Sequence, residues 1–166
     1  MEEIVSILDS YANQAFEDED GASITIKRNI GASADEQDAF MEREKIVLPK
    51  ELKELLMYSN GMDLFGISLL SLEEMIYYGN EKLLVFHNWG NGDFDSILLD
   101  QKNKNFGSVY FMNHSPDKIY LVSPSITDWV KNVIHEVQQK GTLYHPCDYV
   151  ESGNGLYGHI TEFIDH

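Results

Sequence analysis

The sequence predicts an α+β fold in a single domain: an antiparallel sheet of about four to six strands with helices packed mainly on one side. Apolar residues recur at helical spacing in the first sixty residues and again near 126–137. Between them, four short runs rich in β-branched and aromatic residues cluster from 83 to 122. The polar turns joining these runs are short, which makes neighbouring strands antiparallel.

Taken in order, residues 2–16 predict a first helix, with Ile4, Leu8, Tyr11 and Ala15 on one side and Val5, Ala12 and Phe16 beside them. The run Glu17-Asp18-Glu19-Asp20-Gly21 ends it, because four adjacent carboxylates repel each other and favour a solvated loop. Ile24-Thr25-Ile26 has strand character. Ser33, with Glu36 three residues later, forms a capping box at the start of a second helix, to which Phe40 and Met41 give an apolar side. Pro49 opens a third helix, where the missing N–H costs nothing, and Glu51 and Glu54 suit its positive end. Leu52, Leu55 and Leu56 form its buried stripe, and Asn60-Gly61 stops it.

Residues 62–70 then read as extended chain around Gly66 that pairs into a sheet, and residues 71–78 as a helical turn or short helix ended by Gly79-Asn80. The strand meander follows: 83–87, 94–100, 109–112 and 119–122, separated by the turns at 89–93, 102–105 and 113–117. Ser125 and Asp128 stand in capping-box-like spacing before a last helix whose apolar face is Ile126, Trp129, Val130, Val133 and Val137, closed by Gly141. Residues 139–166 form a C-terminal extension that adds a strand or drapes over the sheet, within one domain spanning 1–166.

Composition narrows function before any motif does. The chain has 166 residues, enough for one domain with a sizeable core, and 43% hydrophobic content. No apolar run approaches the ~20 residues that cross a bilayer. The N-terminus carries Glu2 and Glu3 and no basic residue, unlike a secretory signal. The single cysteine, Cys147, precludes an internal disulfide framework, so the cytoplasm is the expected compartment. Twelve Lys+Arg against twenty-eight Asp+Glu leave a net charge of −16. Nucleic-acid backbones and anionic membranes are repelled by such a chain, while a basic protein partner is attracted and steered. The same charge also serves plain solubility.

The order of motifs resembles the SUKH superfamily, the group of the yeast cell-wall-synthesis regulator and of many bacterial immunity proteins. The resemblance rests on Gly31-Ala32-Ser33 opening a charged helix, Val47-Leu48-Pro49, Leu52-xx-Leu55-Leu56 and Asn60-Gly61. It continues through Phe65-Gly66, residues 69–74, Trp89-Gly90-Asn91-Gly92-Asp93, residues 97–100, Gly107-xx-Tyr110 and His114 to the last helix, covering residues 30–138. It implies an α+β fold and a protein-binding role, and transfers no contact residues.

Catalytic and ligand chemistry finds little support. Gly90-Asn91-Gly92-Asp93 leads into a strand, not the helix a phosphate loop feeds. Asn91, Asp93 and Asp95 alternate but lack the closing glutamate of a calcium loop, leaving at most an adventitious cation. His145-Pro146-Cys147-Asp148 offers three potential ligands, yet one proline-constrained tetrapeptide cannot supply a zinc tetrahedron. Cys147 would need a base beside it to act as a nucleophile, and no Gly-x-Ser-x-Gly elbow is present. The expectation is therefore no enzyme, no cofactor and no metal. A hydrolase using Cys147 or buried carboxylates stays open to an activity screen.

What remains is a binding constellation: Asn88, Trp89, Asp93, Asp95 and Asp100, in a stretch from Leu83 to Gln101 without Lys or Arg. An aromatic anchor among carboxylates suits contact with a basic partner. The competing reading has Trp89 plugging the edge of the core and the aspartates shaping turns. The function expected is a non-catalytic module that neutralises a bacterial toxin, such as a nuclease, by occluding its basic cleft. The alternative is a regulatory scaffold for endogenous signalling or cell-wall factors.

Overall fold

The computed structural model describes residues 2–114, 117–143 and 145. Among them, four helices and nine strands follow in the order α1 (Glu3–Tyr11), β1 (Ala15–Glu17), β2 (Ser23–Arg28), α2 (Ala34–Glu44), α3 (Lys50–Tyr58), β3 (Met62–Leu64), β4 (Ile67–Leu69), β5 (Ile76–Tyr78), β6 (Leu83–Asn88), β7 (Phe94–Leu98), β8 (Val109–His114), β9 (Asp117–Ser123) and α4 (Ile126–Lys140). The strands join one antiparallel sheet in the order β1-β2-β3-β4-β6-β7-β8-β9, with β5 also on β6. The α+β class stands; the expected four to six strands were too few. The expected extended chain over 62–70 is two strands, β3 and β4, folded back on each other at Phe65-Gly66, and the unexpected β1 and β5 are three residues each, too short to display the alternation that marks a strand in sequence.

Two boundaries also differ from expectation. The first helix ends at Tyr11, and Phe16 lies in β1, opposite Ile24. Its ring stacks on Phe65 at 4.3 Å between centroids, with Tyr11 edge-on to both. Cross-sheet aromatic packing outweighs helical periodicity there. The acidic run is thus the tip of the β1–β2 hairpin: Asp18 Oδ1 accepts the amides of Asp20 and Ala22. Likewise only 71–74 turn helically, with Glu74 accepting the amide and hydroxyl of Ser71, and residues 76–78 pair with Val85–Leu83 as β5.

The expectations for α2, α3 and α4 hold closely. Ser33 accepts the Glu36 amide while Glu36 accepts the Ser33 amide, completing the capping box of α2. Pro49 is the N-cap of α3, and Ser125 caps α4 by accepting the Asp128 amide. The segment 30–32 runs against the last turn of α3. Ala32 donates to the Leu56 carbonyl and Asn60 to the Ile30 carbonyl, satisfying groups that a helix end leaves without internal partners. Gly31 permits the approach: a Cβ there would lie 1.8 Å from the Met57 carbonyl oxygen.

Residues of all four helices join one sheet face in a single cluster. Leu8, Leu52, Leu56, Trp129 and Val133 pack with Leu84, Phe86, Ile97, Val109 and Phe111. The other face holds a smaller cluster of Leu83, Leu98, Tyr110 and Ile119. A register shift in β6 between Val85 and His87 changes the alternation. Adjacent Phe86 and His87 therefore both face α4, with ring centroids 4.9 and 6.0 Å from Trp129. No described helix is long and apolar enough to cross a membrane.

Candidate functional site

The tip of the β6–β7 hairpin carries four of the five residues singled out from sequence, and the structure divides them by role. Trp89 donates its amide to the Asp93 carbonyl, closing the turn. Asn88 accepts the Gly90 amide, and Asn91 the Asp93 amide. Gly90 and Gly92 adopt left-handed φ of 88° and 90°, a conformation costly for residues bearing a Cβ. Asn88 is exposed and Trp89 half-buried. Asp93 and Asp95 point inward, at 2% and 0% exposure.

Asp95 lies opposite His87 in the sheet register. Its Oδ2 accepts the Trp89 indole N–H at 3.1 Å and lies 2.9 Å from His87 Nδ1, which therefore carries the ring proton in this contact. The His87 and Trp89 rings meet edge to face at 4.7 Å. As placed, Asp95 orients a tryptophan and a histidine inside the fold and presents no carboxylate to a partner.

Asp93 ties three parts of the chain together. Oδ1 accepts the backbone amide of His114 at 2.8 Å and contacts its Nδ1 at 2.5 Å, which fastens the turn to the end of β8. Oδ2 lies 2.8 Å from Nε2 of His145, beyond α4. The His145 ring also meets Trp89 at 5.2 Å and Phe111 at 5.6 Å, both edge-on. Burial disfavours the charge on Asp93, but the His114 amide, the His114 ring and the His145 ring outweigh it and hold the carboxyl below its ordinary range.

Asp100, the fifth residue, lies past the opposite end of β7. It pairs with Lys82 at 3.4 Å and accepts the Lys102 amide. Sequence proximity had grouped it with the turn; strand geometry separates them, since an extended chain advances about 3.3 Å per residue. Conversely, the reading from sequence left His87 out of the constellation, although the two-strand register was the signal that pairs it with Asp95. His114 and His145 join through tertiary contacts alone.

Chemically, the cluster is a set of buried carboxylates satisfied by ring N–H groups. Such a set fixes the shape of a turn and keeps Asn88 and the outer edge of Trp89 at the surface. Among the described residues, no group of three or more His, Cys, Asp or Glu side chains is arranged to hold a metal. Cys147, with Pro146 and Asp148, lies outside the described residues, as does nearly all of the 139–166 extension beyond α4.

No curated protein and no solved structure matches the chain. The family model of the SMI1 / KNR4 family (SUKH-1) matches residues 31–132, from the glycine packed on α3 into the first half of α4. That span is more than half of the chain and includes the α2–α3 pair, β3 to β9 and the Asp93–His114 contact; the chain belongs to the SMI1 / KNR4 (SUKH-1) family.

Proposed function

We propose that this protein is a non-catalytic binding module that acts in the cytoplasm and neutralises a cognate bacterial toxin by covering its basic active-site cleft. A nuclease cleft, built to hold phosphates, is the best electrostatic match. Surface charge carries the reading. In a chain of net charge −16, α2 exposes Asp35, Glu36, Asp38 and Glu42. Across a shallow groove of about 170 Å3, lined by Glu36, Phe40, Arg43 and Glu73, lies a second acidic edge, with Glu73 and Glu74 exposed. A basic cleft meeting this face gains attraction and orientation before contact. Asn88 and Trp89 supply a further contact surface, held in shape from within by Asp93 and Asp95.

The test is co-expression with basic toxin domains, beginning with any encoded beside this gene, scoring survival and complex formation together. The comparison is the Asp38→Lys, Glu42→Lys double variant. Both positions are exposed, and a cation at 42 suits the negative end of α2. Expected are rescue by the native chain and an association rate about ten-fold lower for the variant at low salt. Rescue indifferent to salt and to the variant keeps neutralisation and discards charge steering by this face. No rescue and no complex overturns the proposal. Capture of host cell-wall-synthesis proteins would then favour a regulatory scaffold.

A further inference from the structure

The end of α2 and the turns at the far end of β7 border an open surface pocket of about 370 Å3, on the side of the sheet that the helices cover. Its lining departs from the rest of the surface. Three lysines, Lys45, Lys82 and Lys102, converge on it with a single carboxylate, Asp100, in a chain that carries only twelve basic residues. Asp100 pairs with Lys82. Lys45 and Lys102 make no ion pair among the described residues, though acidic side chains outnumber basic ones more than two to one. The apolar part of the wall includes Tyr77 and Leu99.

The backbone beneath these lysines is unusual as well. Only three non-glycine residues among those described have left-handed φ, namely Lys45 at 56°, Phe65 at 52° and Lys82 at 57°. Two of the three line this pocket. Such conformations are disfavoured for residues with a Cβ, and they persist where surrounding contacts or function hold them. Lys45 is the C-cap of α2, a position that glycine fills most readily. The Lys82 carbonyl is held by the Leu99 amide, and the Lys102 amide by Asp100, so the turns that carry these ammonium groups are fixed.

From this geometry we infer that the pocket is a binding site for a small aromatic anion, a phosphate or carboxylate whose ring packs against Tyr77 and Leu99 while Lys45 and Lys102 hold the charge. The volume falls in the range of small-molecule sites. Lysine ammonium groups bind such anions as point charges. The site is independent of the acidic face of α2. Bulk negative charge repels the ligand at long range while the lysines attract it at short range, so added salt weakens one effect as it relieves the other. Binding here is therefore expected to depend only mildly on salt, unlike docking of a basic protein.

The experiment is an amide-resolved NMR titration of the full chain with phenyl phosphate, benzoate, inorganic phosphate and phenol. Saturable shifts confined to residues 45–47, 77, 82 and 99–102 are expected with phenyl phosphate or benzoate. The tighter of the two identifies the anion. Inorganic phosphate and phenol, each lacking half of the recognition, should bind at least about ten-fold more weakly. The Lys45→Gln, Lys102→Gln double variant removes no ion pair and should weaken binding about ten-fold with the fold retained. Lys45→Gly should raise thermal stability while weakening binding, a split that a purely structural lysine would not show. Shifts scattered over the surface, no saturation by about 10 mM of either aromatic anion, or equal affinity in the double variant would overturn the assignment.

Discussion

Replacing Asp93 by Asn removes one charge and almost no volume, which isolates what the buried carboxylate contributes. Three donors converge on it: the His114 amide, the His114 ring and the His145 ring. A hydrogen bond to a charged group contributes about 1.5–3 kcal/mol net, against about 0.5–1.5 for a neutral one, so neutralisation costs about 1 kcal/mol per bond. The His114 side chain is 53% exposed, and solvent screens its share. In addition, the new amide nitrogen faces one of the ring nitrogens and forces that histidine to offer a lone pair in place of a proton. The expected loss is about 2 kcal/mol at pH 7, a fall in Tm of about 5 °C for a chain of this size. Because the carboxyl is held below its ordinary range in the folded state, the stabilisation is fully present above the unfolded value near pH 4. It is lost as pH falls through the lower folded value. Denaturant melts of both proteins at pH 7 and at pH 3 or below measure the difference, and the other carboxylates titrate in both and cancel. A gap that persists unchanged once Asp93 is protonated would mean that the amide disturbs packing and that charge is not the cause. A gap below about 0.5 kcal/mol at pH 7 would mean that the contacts with His114 and His145 are not formed in solution.

Two local substitutions probe the frame that holds the acidic face. Gly31→Ala places a Cβ 1.8 Å from the Met57 carbonyl oxygen; the 30–32 strap must leave the end of α3, with an expected loss of about 3 kcal/mol in denaturant melts. Ser33→Ala removes the acceptor for the Glu36 amide at the start of α2 and should cost about 1 kcal/mol by the same measurement, with the core unchanged. If Ser33→Ala also slows association with a toxin, the geometry of α2 contributes to docking beyond its charge.

Sequence alone determined those features whose physical cause is local. Ser33 and Glu36 announce the capping box of α2 because both partners of each hydrogen bond lie within one turn. Pro49, Leu52, Leu55 and Leu56 announce α3, and the apolar stripe of Trp129, Val130, Val133 and Val137 announces α4, because a buried helix face must repeat at 3.6 residues. The β6–β9 meander followed from short turns between apolar runs, and the family from the order of these pieces. The −16 charge is a property of composition and needs no fold.

Tertiary structure decided the rest, wherever a contact crosses many residues. Phe16 is in a strand because Phe65 stacks on it, and Ile76 to Tyr78 form one because β6 offers an edge. Neither signal exists inside a three-residue window. In sequence Asp93 and Asp95 can be read either as contact carboxylates or as residues shaping a turn; in the fold both are buried, and donors from His87, Trp89, His114 and His145 meet the charges. The lysines at 45, 82 and 102 line one pocket only because the end of α2 lies beside the turns of the sheet. Local propensity is written residue by residue, whereas burial and convergence of charge depend on which surfaces the folded chain brings together.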